Sequence, residues 1–211
     1  CRFPHLRHLD VWWHPKYSQA CFGLPELEEC RIYAFPAADL TGIAPSATLR
    51  SLTLDKPAHL ASLEGVARLP ALRSLAAGPS RSPIDLAALA GCRGLEEIRI
   101  ESPKGVSGVG TVLGLPQMRQ LVIDAPSLQN LDLAPVGRLR NLSRLFLVGR
   151  LDQVDWPALL DLPHIEWVQL LPPDEQVDAL LQDLRPRLTP ARFELRVARG
   201  RKAAILLRRT G

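Results

Sequence analysis

One six-residue pattern, Leu-x-x-Leu-x-Leu or a close apolar variant, recurs along this chain at nearly constant intervals. It reads Leu6-Leu9-Val11, Leu27-Cys30-Ile32, Leu49-Leu52-Leu54, Leu72-Leu75-Ala77, Leu95-Ile98-Ile100, Met118-Leu121-Ile123, Leu142-Leu145-Leu147 and Ile165-Val168-Leu170, with a degenerate ninth copy, Leu188-Ala191-Phe193. Successive copies start 21, 22, 23, 23, 23, 24, 23 and 23 residues apart. A unit of that length is one piece of supersecondary structure, too small to bury an apolar edge alone. Stacked on its neighbours it contributes to a single continuous core. Leu fills 39 of the 211 positions, as expected of a core that reuses one residue type.

A second apolar set precedes the pattern by three residues at Leu24, Leu69, Cys92, Leu115, Leu139 and Leu162, followed by Pro25, Pro70, Pro116 and Pro163 in four units. Further upstream, Leu63 and Val66, Leu86 and Leu89, Val109 and Val112, Leu133 and Val136, and Trp156 and Leu159 keep the same spacing. Apolar residues three apart describe one or two turns of α- or 3₁₀-helix with one buried edge. Each unit therefore reads as a short strand, a turn and a short helical return.

Pattern, period and helical return together resemble the leucine-rich-repeat family, from about Leu6 to Phe193. The resemblance implies an α/β solenoid: a right-handed superhelix with a curved parallel sheet on the concave face and helical or 3₁₀ returns on the convex face. The chain departs from the family at the ninth position of the unit, which usually carries Asn or Cys. Here it reads His14, Phe35, Pro57, Ser80, Pro103, Pro126, Arg150, Pro173 and Arg196. Proline fixes φ and cannot donate a hydrogen bond, so a stiff turn is expected in place of an Asn ladder. Residues 1–188 are assigned to about eight repeats. Residues 189–211 form a C-terminal cap, because Phe193-Leu195-Val197, a turn at Gly200 and the apolar run Ala203–Leu207 have the alternation of a β-hairpin. An N-terminal cap is expected to lie upstream of this sequence, unless Arg2-Phe3-Pro4 packs over the end.

Composition narrows the classes of function. No run of about 18 apolar residues is present, so no membrane-spanning helix is expected, and the first residues lack a signal-peptide pattern. Cys1, Cys21, Cys30 and Cys92 show neither metal-type spacing nor a disulfide framework. Cys30 and Cys92 read as small buried core residues, and a reducing cytoplasm is inferred. Arg supplies all but four of the 26 basic residues, which with the Ala, Leu, Pro and Gly content suits a bacterial source. His5, His8, Asp10 and His14 do not assemble the convergent ligands a metal needs. Gly105, Gly108 and Gly110 read as a repeat turn, since their order fits neither nucleotide-binding fingerprint. The basic residues Arg196, Arg199, Arg201, Lys202, Arg208 and Arg209 read as the wet side of the cap. No cofactor and no catalytic set is assigned, and the chain is read as a non-enzymatic, monomeric scaffold.

Alternation along a strand sends the pattern residues inward and their neighbours to the concave face. Two aromatic clusters are expected there. Trp12, Arg31 and Tyr33, with Trp13, mark the N-terminal end; Arg144, Phe146, Trp167 and Leu171, with Val148, mark the C-terminal end. Between them lie Asp55, Glu97, Arg99, Glu101 and Asp124, an acidic stretch that would suit a basic partner and repel nucleic acid. Exposed aromatics beside Arg are the residue types that dominate protein-binding hot spots. The sequence thus points to a protein partner on the concave face, in an immunity- or inhibitor-type role or as the partner-sensing or substrate-recruiting region of a larger protein.

Overall fold

The computed structural model describes residues 3–14, 22–128, 131–198 and 203–210. In chain order its strands are β1 (His8–Trp12), β2 (Glu29–Tyr33), β3 (Ser51–Asp55), β4 (Ser74–Gly78), β5 (Ile84–Asp85), β6 (Glu97–Glu101) and β7 (Val106–Ser107). They continue with β8 (Gln120–Asp124), β9 (Leu131–Asp132), β10 (Arg144–Val148), β11 (Leu151–Gln153), β12 (Trp167–Leu171), β13 (Phe193–Ala198) and β14 (Ala204–Arg209). Ten of these form one sheet in the order β1-β2-β3-β4-β6-β8-β10-β12-β14-β13. From β1 to β12 every pairing is parallel and the register never slips.

That register makes the repeat into a core. Leu9, Cys30, Leu52, Leu75, Ile98, Leu121, Leu145 and Val168 lie side by side across eight strands, and so do Val11, Ile32, Leu54, Ala77, Ile100, Ile123, Leu147 and Leu170. From Cys30 onward all of them are buried; in β1, which has a neighbour on one side, Leu9 and Val11 are half-buried. The returns are short: 3₁₀ turns at Val66–Arg68, Ala87–Gly91 and Ala134–Arg138, and helices α1 (Val109–Val112) and α2 (Trp156–Leu160). β5 pairs with β7, and β9 with β11, in two short parallel ribbons along the returns. The chain is thus a leucine-rich-repeat solenoid.

The turn after each strand differs from the expectation of proline stiffness alone. The chain leaves the sheet through a left-handed residue at Ala34, Lys56 and Gly149, one position before the expected ninth. Gly149 has φ 138°, and a Cβ there would lie 2.7 Å from the Leu128 Cβ, so glycine is required. The missing Asn ladder is replaced in part by serines. Ser80 Oγ donates to the Leu60 carbonyl (2.9 Å), Ser102 Oγ to Ser82 (2.9 Å) and Ser127 Oγ to Pro103 (2.6 Å), each reaching the preceding unit. Ser80 and Ser102 are buried, so these bonds satisfy groups that water does not reach.

The last return is a full helix, α3 (Asp174–Leu184), where a short turn was expected. Val177, Leu181 and Leu184, at helical spacing, form its buried edge. The Gln176 amide bonds both the N–H and the carbonyl of Leu151, at 3.0 and 2.8 Å, and ties α3 to the preceding unit. Beyond it the ninth copy of the pattern does not form a parallel strand. β13 and β14 are an antiparallel pair, and β14, not β13, lies against β12, antiparallel to it. Ile205 and Leu207 thereby extend the two buried rows. Cys1, Arg2, Cys21, Arg199, Gly200, Arg201 and Lys202 lie outside the described residues.

Candidate functional site

Residues between the inward-facing positions of each strand make up the concave face. At its N-terminal end Trp12 stacks on Tyr33 with ring centroids 5.4 Å apart, and Trp12 is 70% exposed. The Tyr33 side chain, then the charges of Asp10 and Asp55, hold the Arg31 guanidinium above its ordinary pKa. Trp13, expected in this cluster, is half-buried instead, packed edge-on against the buried Phe35 at 4.9 Å. It belongs to the core because it follows Trp12 on the opposite side of the strand.

The middle of the face is a shallow saddle built on small residues. Thr53, Ala76 and Gly78 line a depression of about 400 Å³, with Arg31 and Asp55 on one side and Arg99 and Glu101 on the other. Arg99 bonds Glu101 at 2.7 Å, and Glu97 accepts a hydrogen bond from Ser74 at 3.3 Å. The acidic stretch is therefore partly matched within the fold. A second set of charges is matched along the edge where the chain enters the strands. There Arg7 and Arg50 flank Glu28 at 3.9 and 4.0 Å, and Arg73 and Arg119 flank Glu96 at 4.0 and 3.4 Å. Such exposed pairs add little stability each.

At the C-terminal end the sheet forms a groove of about 660 Å³. Phe146 on β10 and Trp167 on β12 stand nearly parallel in it, 7° apart with centroids at 6.2 Å. Both are half-buried walls, neither freely exposed nor enclosed in the core. Val148, expected in the same cluster, is buried, and Leu171 is half-buried beyond the groove beside Ala203. The antiparallel insertion of β14 alters the neighbours that a continued parallel register assigns. Arg208 lies beside Trp167 and Leu206 beside Gln169, in the places expected for Pro190 and Arg192. Arg192 points away, to Asp161 and the Leu160 carbonyl, both at 3.3 Å.

The basic residues of the cap accordingly divide. Arg209 donates to the Pro163 carbonyl at 2.7 Å and lies over the Phe193 ring at 5.8 Å, holding the hairpin on the stack. Arg196 and Arg208 line the groove with Glu194, and Arg196 bonds Glu194 at 2.8 Å. Arg144 and Arg208 have no carboxylate within ion-pair distance among the described residues. Gln120, Val122, Glu166 and Leu206 also line the groove without having been singled out from the sequence. The lining includes no Ser, Thr, Cys, His or Lys. Among the described residues no three His, Cys, Asp or Glu side chains converge as a metal site requires; His5 and His8 instead face Glu26 and Glu29 at 2.8 and 3.0 Å. Among them, too, no helix is long and apolar enough to cross a membrane.

Comparison with known proteins supports the architecture. An internalin (inlF) from Listeria monocytogenes is 21% identical, with a TM-score of 0.55, over 72% of this chain and 43% of that one. An internalin C2 (inlC2) from the same species is 17% identical, with a TM-score of 0.51, over 71% of this chain and 73% of that one. The chain thus spans less than half the length of the first. No protein-family model and no curated protein matches the sequence.

Proposed function

We propose that this chain is a protein-binding module whose partner lies on the concave face and is anchored at the Phe146–Trp167 pair. The observation that carries this reading is the pair itself, two large rings in a groove of about 660 Å³ flanked by Arg144 and Arg208, which make no ion pair among the described residues. Nothing in the repeat requires large aromatic residues at these positions, where the other parallel strands place polar or charged residues, Ala76 and Val122. Half-buried aromatics beside Arg, at the centre of a concavity, have the composition and the placement of binding anchors. The groove offers recognition surface without a nucleophile of the Ser, Cys or Lys kind, which supports a binding role over a catalytic one. In its specific form the module acts in the cytoplasm and blocks a partner by occlusion, as an immunity or inhibitor protein does.

A second reading makes the chain the partner-sensing region of a longer protein. The half-buried Leu9 and Val11 on β1, whose inward faces resemble core positions, favour it.

Capture from the native cell extract tests the proposal, with wild type, Phe146→Ala and Trp167→Ala as parallel baits and mass spectrometry as readout. A partner held by the wild type should be weakened by about 2 kcal/mol or more by either substitution, with circular dichroism unchanged. Equal retention by all three baits places binding on another surface.

A further inference from the structure

The concave-face reading leaves the chemistry of the partner open, and the two unmatched arginines define it. On that reading we propose that the C-terminal groove takes an acidic protein segment: an apolar side chain seated against Phe146 and Trp167, with carboxylates on either side held by Arg144 and Arg208.

Four arginines line the groove, and the fold matches two of them, Arg99 with Glu101 at 2.7 Å and Arg196 with Glu194 at 2.8 Å. The other two flank the aromatic wall directly. Arg144 pairs with Trp167 across β10 and β12, and Trp167 with Arg208 across β12 and β14, so the three form one row over adjacent strands. Both arginines are exposed. Their Cα atoms are two strand spacings apart, about 10 Å. In an extended segment alternate side chains share a face, so carboxylates two residues before and two after an apolar anchor are about 13 Å apart. Two long arginine stems span that difference. A guanidinium is the side chain best suited to hold a carboxylate by paired hydrogen bonds.

The acids nearby limit the site without reversing its sign. Asp124 ends β8, two strands from Trp167, Glu166 precedes β12 at the entry edge, and Glu194, which ends the row opposite Arg208 across β13 and β14, is engaged by Arg196. They bound the row Arg144-Trp167-Arg208 and do not interrupt it. The same acids break any continuous cationic track, which a phosphate backbone needs. A protein segment with discrete carboxylates fits this arrangement better than nucleic acid, and better than the basic partner that the acidic stretch alone suggests.

Selection of random twelve-residue peptides displayed on phage, against the immobilised full chain, tests this. The expected winners carry Asp or Glu on both sides of an aromatic or branched apolar residue. A synthetic winner should bind about tenfold more weakly to Arg144→Gln and to Arg208→Gln, the loss expected for one charged hydrogen-bonding partner. The pair Arg144→Glu with Arg208→Glu should turn selection toward Lys and Arg. Melting temperatures of the two Gln variants should match the wild type, because among the described residues neither side chain is in an ion pair, and Arg208→Glu, opposite Glu194 across β13 and β14, should lower it only slightly. Winners rich in Lys or Arg, no winners at all, or a random single-stranded oligonucleotide that outbinds the winners and is lost in the same variants would each overturn the proposal. Winners that need Trp167 but ignore both arginines overturn this inference and leave the concave-face reading standing. Winners indifferent to Trp167 and Phe146 remove that reading as well.

Discussion

The two ends of the concave face carry the same residue types in different settings. Trp12 and Tyr33 stack beside Arg31, as Phe146 and Trp167 stack near Arg144 and Arg208. At the first end Trp12 stands on β1, where the inward residues Leu9 and Val11 are half-buried, and Tyr33 on β2; Trp12 is 70% exposed, and Arg31 is held by Tyr33, Asp10 and Asp55. At the second, strands lie on both sides, the rings are half-buried, and among the described residues the arginines flanking Trp167 make no ion pair, the Glu194 carboxylate opposite Arg208 being bonded to Arg196. An aromatic–arginine cluster is therefore a binding candidate only once its surroundings are known. What separates these two is whether the fold has already used the charges and closed the core beneath the rings.

The hairpin supplies much of that difference, and removing its anchor should have the largest effect. Phe193 is buried, with the guanidinium groups of Arg192 and Arg209 over its ring at 5.9 and 5.8 Å. Phe193→Ala should cost about 3–5 kcal/mol and loosen β13 and β14 first, because a linear stack couples each unit only to its neighbours. Hydrogen exchange would show this as early loss of protection in β14. The two ends should also differ in core strength. Leu145→Ala, on a fully buried position, should cost about 2–5 kcal/mol, and Leu9→Ala, on the half-buried one, about 1 kcal/mol. Equal losses in chemical denaturation would mean that β1 is as well packed as β10.

Turn chemistry gives a smaller contrast. At the same turn position the N-terminal half has Ala34, with φ 55°, where the C-terminal half has Gly149. A side chain in the left-handed region is strained, so Ala34→Gly should raise stability by about 1 kcal/mol, and Gly149→Ala should lower it by more, through collision with Leu128. The slightest effect concerns Cys92, between the two ends. Cys92, expected in the core, is half-buried, and that partial burial raises the pKa of its thiol, so the neutral form persists to higher pH than in the unfolded chain. Its small contribution to stability is complete below the unfolded thiol's pKa and is lost as pH rises through the folded value. Alkylation of Cys92 should accelerate at higher pH in native than in denatured protein; coincident profiles would show that it is not buried.

The repeat was legible because a strand register slip by one residue would turn every buried leucine outward. The period therefore established the order and register of β1 to β12, and with them the positions of Trp12, Tyr33, Phe146 and Trp167. The reversal at the C-terminus was not legible. Alternation in Phe193-Leu195-Val197 and Ala203–Leu207 marks two strands but carries no information on which of them lies against β12. Arg208 is exposed on the wet side of the cap, as the alternation implies, but that side is the concave groove, while Arg192, which a continued parallel register puts on the concave face, turns to Asp161 and the Leu160 carbonyl. α3 left a signal, Val177, Leu181 and Leu184 at helical spacing, which the shorter returns of the other units obscured. Trp13 and Val148 each sit where the chain leaves its strand: alternation turns Trp13 inward, behind Trp12, whereas Val148 is buried although it shares the alternation of Phe146.

The central claim is that the C-terminal cluster, and not its N-terminal counterpart, meets the partner. Hydroxyl-radical footprinting of the full chain, free and saturated with a peptide selected on it, tests this in one measurement, because Trp12 and Trp167 are oxidised within the same sample. Protection of Trp167 and Phe146, with Trp12 and Tyr33 as reactive as in the free protein, is the predicted result. Protection of Trp12 and Tyr33 with Trp167 unchanged would contradict it.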